Sequence, residues 1–204
     1  MDIKEINKFQ FVPYLLVKIN YWNILYRIYR RIDMDIIYTD RLVIREFTQV
    51  DIDKVFPLLS DPIVMKHCFG HLDIIGAQKW LNSTIESYKK YGYDFWAAYE
   101  KNADTFLGTI GLLNEEIDGK QEPCLAFMIG RKYWNKGYAT EGAMACINYA
   151  FKFLKLEKLM ATVEIENLKS ISVLKKIGMK YIGETNISNK KVYIYLIKKT
   201  ECHV

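Results

Sequence analysis

Residues 131–142 decide the fold, and they read Arg-Lys-Tyr-Trp-Asn-Lys-Gly-Tyr-Ala-Thr-Glu-Gly. They follow an apolar run at 125–130 and precede a segment with helical periodicity. A strand, a loop of small and basic residues and then a helix can hold phosphates, because glycine lets the backbone approach closely and the first N–H groups of the helix point at the anion. The helix dipole and Lys136 add positive potential. The stretch therefore predicts a phosphate-binding loop.

The composition is that of one globular domain. Half of the 204 residues are hydrophobic, which is enough for a substantial core, and the charged share of 26% is ordinary. A net charge of +5 without a dense Lys/Arg stripe argues against a nucleic-acid partner. The four cysteines make no Cys-x-x-Cys pair and the three histidines are scattered, so we expect no metal site, and free thiols in a reducing cytoplasm.

The first 33 residues differ from the rest of the chain. They hold six basic and three acidic residues, a net charge of +3, among aliphatic and aromatic side chains. Pro13 and the lack of a small-residue cleavage site argue against a signal peptide, and polar residues interrupt every run long enough to span a membrane. We expect residues 1–33 to be an extension that is either dispensable, with Met34 as the true start, or a docking helix.

Hydrophobic periodicity beyond Asp40 changes repeatedly between strand and helix patterns. Apolar, β-rich runs predict strands at 42–47, 95–99, 106–113, 124–129, 158–164, 181–183 and 192–197. Helical spacing predicts helices at 51–59, 74–91, 140–154 and 167–177, and a polar loop is expected at 114–122. This order predicts a mixed α+β domain with one sheet of about seven strands and helices on its faces.

Four stretches resemble the GNAT acetyltransferases, and within them the branch of the ribosomal-protein N-terminal (alanine/serine) acetyltransferases. They are 39–45 (Thr-Asp-Arg-Leu-Val-Ile-Arg), 60–65 (Ser-Asp-Pro-Ile-Val-Met), 133–141 (Tyr-Trp-Asn-Lys-Gly-Tyr-Ala-Thr-Glu) and 167–179 (Asn-x-x-Ser, then Val-Leu-x-x-Ile-Gly-Met). They occur in the family's order, so residues 38–199 are identified as a GNAT N-acetyltransferase domain. The resemblance implies a single mixed sheet with helices on both faces and a splay between its fourth and fifth strands.

The same resemblance implies a co-substrate and the residues that bind it. Acetyl-CoA is expected to lay its pantetheine arm in the splay and to pair with the main chain of Phe127 and Ile129, while the N–H near Met128 polarises the thioester. Gly137 and Ala139 are small enough for the pyrophosphate to approach. The pyrophosphate is expected on donors of the loop, namely Asn135, Lys136, Gly137, Tyr138, Ala139 and Thr140.

The helix predicted at 167–177 is expected to complete the site. Asn167 has the position of an N-cap, and the resemblance implies that this helix start also contacts the cofactor arm. Many GNAT enzymes have a tyrosine where this chain has Leu174. Ser170 is therefore expected to be the catalytic residue that donates to the leaving CoA thiolate.

The general base stays open on sequence grounds. Direct transfer needs a group that takes a proton from the acceptor amine, and the branch often carries an acidic residue where this chain has Cys124. We take Cys124 as a core or cleft-lining thiol rather than a covalent nucleophile, because the family usually transfers directly. The remaining candidates are the carboxylates Glu115, Glu116, Glu122, Glu164 and Glu166.

The function implied is a cytoplasmic N-acetyltransferase that moves an acetyl group from acetyl-CoA to a primary amine. The acceptor is either a protein N-terminal α-amine or a small-molecule amine, and a homodimer stays open. The alternative is a catalytically weak module that binds acyl-CoA and acts as a regulator or scaffold. That alternative draws on the missing tyrosine at Leu174 and the missing acidic residue at Cys124.

Overall fold

One mixed sheet of eight strands forms the centre of the computed structural model, which describes residues 35–68 and 70–202. The extension expected at residues 1–33 lies outside the described residues. The spatial order of the strands is β1-β2-β3-β4-β5-β6-β8-β7. The strands are β1 (Asp35–Tyr38), β2 (Leu42–Arg45), β3 (Phe95–Glu100), β4 (Phe106–Ile117), β5 (Lys120–Ile129), β6 (Lys158–Glu164), β7 (Lys180–Ile187) and β8 (Lys190–Lys198).

Four α-helices in the described part of the chain cover the two faces of this sheet. They are α1 (Ile52–Leu59), α2 (Ile74–Tyr91), α3 (Tyr138–Lys152) and α4 (Leu168–Lys176). Helices α1 and α2 pack on one face in a core that includes Phe95 and Met128. Helices α3 and α4 pack on the other face in a core that includes Trp96 and Leu125. The predicted mixed architecture with helices on both faces is confirmed.

Alternation along the central strands produces these two cores. In β3, Phe95 and Ala97 belong to the α1/α2 core, and Trp96 and Ala98 belong to the α3/α4 core. All four side chains are buried. A strand that is apolar at every position is typical of a sheet covered on both sides, so the unbroken hydrophobic run in β3 has a direct physical reason.

Helix boundaries follow from local chemistry. The helix predicted at 74–91 is confirmed as α2, whose N-cap Asp73 accepts a hydrogen bond from the Gly76 N–H at 2.7 Å. Its C-cap is Gly92 at φ 79°, the left-handed conformation that glycine adopts without strain. None of the helices within 35–68 and 70–202 is both long enough and apolar enough to cross a membrane.

The sheet contains eight strands rather than about seven, because β1 was not predicted. Its four residues, Asp-Ile-Ile-Tyr, contain only two aliphatic side chains, whereas the equally short β2 reads Leu-Val-Ile-Arg. The loop expected at 114–122 is also wrong, since β4 continues to Ile117 and β5 begins at Lys120. Asp118 and Gly119 make the turn with φ of 50° and 77°, as in a two-residue hairpin. Cross-strand pairing extends these polar strand ends, and the sequence carries no hydrophobic signal of it.

Candidate functional site

The sheet opens between β5 and β6, which are the fourth and fifth of the strands predicted from sequence, as the resemblance implied. These parallel strands pair only at Cys124 and Met160, and no further pair follows toward their carboxyl ends. We call this opening the β5–β6 gap. Phe127, Met128 and Ile129 lie on its β5 side, where they pair with β4 on the other edge. Backbone groups that face the gap lack a strand partner there, so they can pair with an extended ligand.

The predicted phosphate loop lies directly after β5. A short 3-10 turn at Arg131–Tyr133 is followed by Asn135 at φ 61° and Gly137 at φ 84°. Gly137 is the N-cap of α3, and the first backbone bond of the helix runs from the Glu141 N–H to the Gly137 carbonyl at 3.0 Å. The N–H groups of residues 138–140 therefore have no helical acceptor, which makes this helix start a site for an anion.

Basic side chains surround the loop. Lys132 and Lys136 are exposed and lie 4.9 and 5.7 Å from the centre of the Tyr133 ring. Together with the dipole of α3 they raise the local potential in favour of phosphates. Tyr138 is buried and its hydroxyl donates to Glu100 at 2.7 Å. Tyr138 can therefore offer a phosphate its backbone N–H rather than its side chain.

Arg41, in the turn between β1 and β2, holds the loop in place through two hydrogen bonds. Its Nη1 donates to the Lys136 carbonyl at 2.9 Å, and its Nε donates to Glu141 Oε2 at 2.6 Å. A Cβ on Gly137 would lie 3.2 Å from the same guanidinium. Glycine at this position therefore meets two needs, the positive φ and the tight approach of Arg41. These features fit a cradle for the pyrophosphate of a CoA.

Trp134 connects the loop to both sides of the site. Its indole Nε1 donates to the Ile129 carbonyl at 2.6 Å, and Lys169 Nζ lies 3.9 Å from its ring centroid. Lys169 belongs to the first turn of α4, so the cation–π contact holds that helix start beside the loop. The Ile129 carbonyl keeps a second lone pair for a ligand. Trp134 was not predicted as a site residue, although it lies inside the quoted motif.

The start of α4 has the cap that the sequence predicted. Asn167 Oδ1 accepts a hydrogen bond from the Ser170 N–H at 3.2 Å. Ser170 is half-buried in the first turn, and Leu174 is buried in the α3/α4 core. The aliphatic side chain of Leu174 can supply no proton, which leaves Ser170 as the hydroxyl of this helix turn.

The carboxylates proposed as bases lie in different environments. Glu115 accepts a hydrogen bond from Thr162 at 3.0 Å, and burial, partly offset by this bond, raises its pKa above the ordinary range. Glu122 pairs with Lys158 at 2.6 Å. Glu116 and Glu166 are exposed at the surface.

The Cys124 thiol is buried on the same face of the sheet as Glu115. Burial is the largest influence on its pKa and raises it, and the Glu115 charge raises it further. The thiolate, which is the nucleophilic form, is therefore disfavoured, in agreement with a cleft-lining role for Cys124.

Comparisons with known proteins agree with this geometry. The family model described as an acetyltransferase (GNAT) domain matches residues 41–180. The chain is 34% identical over 158 residues to YkkB of Bacillus subtilis (strain 168), a match that covers 77% of this chain and 92% of YkkB. The crystal structure of a GNAT-family acetyltransferase from Bacillus anthracis is 30% identical, with a TM-score of 0.70, and the match covers 81% of this chain and 99% of that one.

A shorter match concerns an enzyme with a named acceptor. Over 57 residues the chain is 39% identical to the spermidine N(1)-acetyltransferase of Escherichia coli (strain K12). This match covers 28% of this chain and 31% of that enzyme. The family itself rests on the longer matches, which agree with the gap, the loop and the sheet described above. This chain therefore belongs to the GNAT family and is an acyltransferase that depends on acetyl-CoA.

Proposed function

We propose that this enzyme transfers the acetyl group of acetyl-CoA directly to a primary amine in the cytoplasm. The observation that carries the proposal is the β5–β6 gap, which leads to the helix start at Gly137. A gap with unpaired backbone groups suits an amide-containing arm, and the helix start suits a pyrophosphate. One molecule of CoA combines these two chemical features.

The residues proposed to bind acetyl-CoA fall into three groups. The backbone of Phe127, Met128 and Ile129 pairs with the arm and polarises the thioester carbonyl. The helix start of α4 contributes Asn167 and Ser170. The loop contributes the phosphate donors Asn135, Lys136, Gly137, Tyr138, Ala139 and Thr140. Bound acetyl-CoA supplies an activated acetyl group.

The chain's own groups then act on that acetyl group in two ways. A backbone N–H near Met128 that faces the gap stabilises negative charge on the carbonyl oxygen, and such donors have large effects on rate. The Ser170 hydroxyl donates a hydrogen bond to the departing sulfur. The Met128 side chain itself is buried in the α1/α2 core.

The acceptor is proposed to be a primary amine of either of two classes. Similarity to a spermidine N(1)-acetyltransferase favours a small polyamine, but it covers only 28% of this chain. The branch resemblance of the motifs favours a protein N-terminal α-amine, and neither class needs a metal for direct transfer. The part of the chain at residues 1–33 is proposed to be dispensable for this chemistry.

One experiment tests the proposal. The full chain is incubated with acetyl-CoA and, separately, with spermidine and with peptides that begin with alanine or serine. Released CoA is measured by chromatography, because the protein's own four free thiols would react with a thiol reagent. We expect amine-dependent release of CoA and acetylation of at least one acceptor.

A regulatory or scaffold module that binds acyl-CoA is the second candidate. Leu174 in the core, where many family members have a tyrosine, is the observation that favours it. Calorimetry with acetyl-CoA, read together with the CoA-release assay, separates the two candidates. Tight binding of acetyl-CoA, with no release of CoA in the presence of any of the acceptors, would refute the enzyme and support the module.

A further inference from the structure

The segment between α1 and α2 lies against both sides of the β5–β6 gap. On the β5 side, the Cys68 thiol contacts Met128, with 3.7 Å between Sγ and Sδ. On the other side, Lys190 Nζ at the start of β8 donates to the Cys68 carbonyl at 3.0 Å. This segment therefore covers the gap on the face of α1 and α2, opposite the face of α3 and α4.

His67 lies in this segment and binds the end of β6. Its Nδ1 is 2.8 Å from Glu164 Oε2, and Lys190 Nζ pairs with the other oxygen of the same carboxylate. Glu164 is four residues beyond Met160, and Met128 is four residues beyond Cys124, the partner of Met160. Glu164 and Met128 thus lie at matching positions on the two sides of the gap.

The Glu164 carboxylate prepares the imidazole for proton transfer. Burial is the largest single influence and raises the pKa of Glu164, but the hydrogen bonds and charges of Lys190 and His67 together hold it below the ordinary range. An ionised carboxylate accepts from Nδ1–H, which fixes that tautomer and leaves the lone pair on Nε2.

The other carboxylates are placed less well for this task. Glu115 lies near Cys124, at the end of the gap that strand pairing closes. Glu122 is paired with Lys158, two positions further from the open end. Glu116 and Glu166 are exposed.

We propose that His67 is the general base of the acetyl transfer and that Glu164 is its positioning residue. This inference rests on the proposed function. The amine nitrogen forms a bond to the acetyl carbon, the carbon–sulfur bond breaks, and the electron pair of that bond leaves with sulfur. Nε2 of His67 takes the proton that nitrogen loses, and solvent protonates the CoA thiolate and later removes the proton from His67.

The kinetic test compares His67→Ala with His71→Ala in the full chain. His71 is exposed in the same segment, so its loss controls for a change of surface charge. With the acceptor that gives the fastest turnover in the panel of spermidine and Ala- or Ser-starting peptides, we expect His67→Ala to lower kcat about a hundredfold or more. The Kd of acetyl-CoA should stay unchanged, and added imidazole should restore part of the lost rate.

A second measurement does not depend on turnover. Nitrogen-15 NMR of the histidine side chains of the unaltered protein reports which ring nitrogen carries the proton, and His67 is assigned as the signal that remains in both His71→Ala and His203→Ala. We expect the Nδ1–H tautomer for His67, and a shift toward the Nε2–H tautomer in Glu164→Gln. This reading stands even if His67→Ala folds poorly.

The outcomes separate this inference from the proposed function. If the unaltered protein acetylates no amine of the panel, the proposed function fails, and this inference fails with it. If the unaltered protein is active and His67→Ala matches His71→Ala in kcat, only the role of His67 is refuted. An Nε2–H tautomer in the unaltered protein, or a rate that imidazole does not restore, would also overturn it.

Discussion

Arg41 and Glu141 form an ion pair that joins the β1–β2 turn to the first turn of α3, across 100 residues of sequence. The guanidinium Nε is 2.6 Å from Glu141 Oε2, and the Arg41 backbone N–H and the Thr39 hydroxyl both donate to Oε1. Arg41 also donates a hydrogen bond to the Lys136 carbonyl, so this carbonyl oxygen of the loop points toward the guanidinium. The N–H groups of the loop are then left for an anion.

Replacement of Arg41 by lysine should weaken acetyl-CoA binding. Lysine keeps the charge but cannot donate from a planar fork to a carboxylate and a carbonyl at once. We expect the Kd of acetyl-CoA to rise about tenfold, or about 1.4 kcal/mol, with little change in kcat at saturation. Calorimetry gives the Kd. Arg131→Lys, an exposed change in the same loop, should bind as the unaltered protein does, and equal values for both variants would contradict this role of Arg41.

Replacement of Gly137 by aspartate should abolish most acetyl-CoA binding. The new carboxylate repels the phosphates, and its Cβ lies against Arg41 at a φ of 84°. We expect a loss of about a hundredfold or more in affinity. Gly119→Asp is the matched control, because Gly119 has a φ of 77° and open space around it, in the β4–β5 hairpin. If both variants lose affinity equally, the loop does not bind the phosphates.

Replacement of Gly108 by alanine should destabilise the sheet beside the gap. A Cβ there would overlap the Met128 carbonyl and lie 2.8 Å from Ile129 Cα, at a φ of 150°. Overpacking and backbone strain predict a loss of roughly 3 kcal/mol in the free energy of unfolding, which urea denaturation measures. Gly183→Ala in β7, where nothing lies within 4 Å of the added atom, should be close to neutral. A Gly108→Ala protein as stable as Gly183→Ala would refute the predicted overlap.

Glu115 should make the stability depend on pH. Burial, the largest influence, raises its pKa, while the unfolded chain ionises at the ordinary value of about 4.3. The folded state therefore holds its proton longer than the unfolded state. The free energy of unfolding should fall as pH rises from the ordinary pKa through the raised one, and then level off. Urea denaturation at a series of pH values measures this free energy. Glu115→Gln should remove its fall with pH, whereas Glu116→Gln, an exposed change, should keep it. If the fall persists in Glu115→Gln, another group causes it.

Cys124 should be dispensable for turnover. Because burial raises its pKa, the thiol carries no charge near neutral pH and should not be acetylated. Cys124→Ala should keep kcat and lose about 1 kcal/mol of stability, as should Cys146→Ala in the α3/α4 core. Detection of an acetyl group on Cys124 by mass spectrometry, or an inactive Cys124→Ala beside an active Cys146→Ala, would show covalent transfer instead.

The sequence by itself determined the local structure and the family. The apolar period at 74–91 and the strand–loop–helix at 125–142 depend on contacts between near neighbours, so local sequence patterns are enough to predict them. The hairpin ends near Asp118 could not be predicted in this way, since cross-strand bonds form those strands without an apolar pattern.

Only the tertiary structure decided which distant side chains meet at the site. The Arg41–Glu141 pair spans 100 residues and the His67–Glu164 pair spans 97. Such separations are set by the strand order and by the crossing of helices, and no spacing rule in the sequence encodes them. The sequence of the loop at 131–142 was therefore enough to predict acetyl-CoA as the acetyl donor. The group that would take the amine proton became visible only when the chain was folded over the gap.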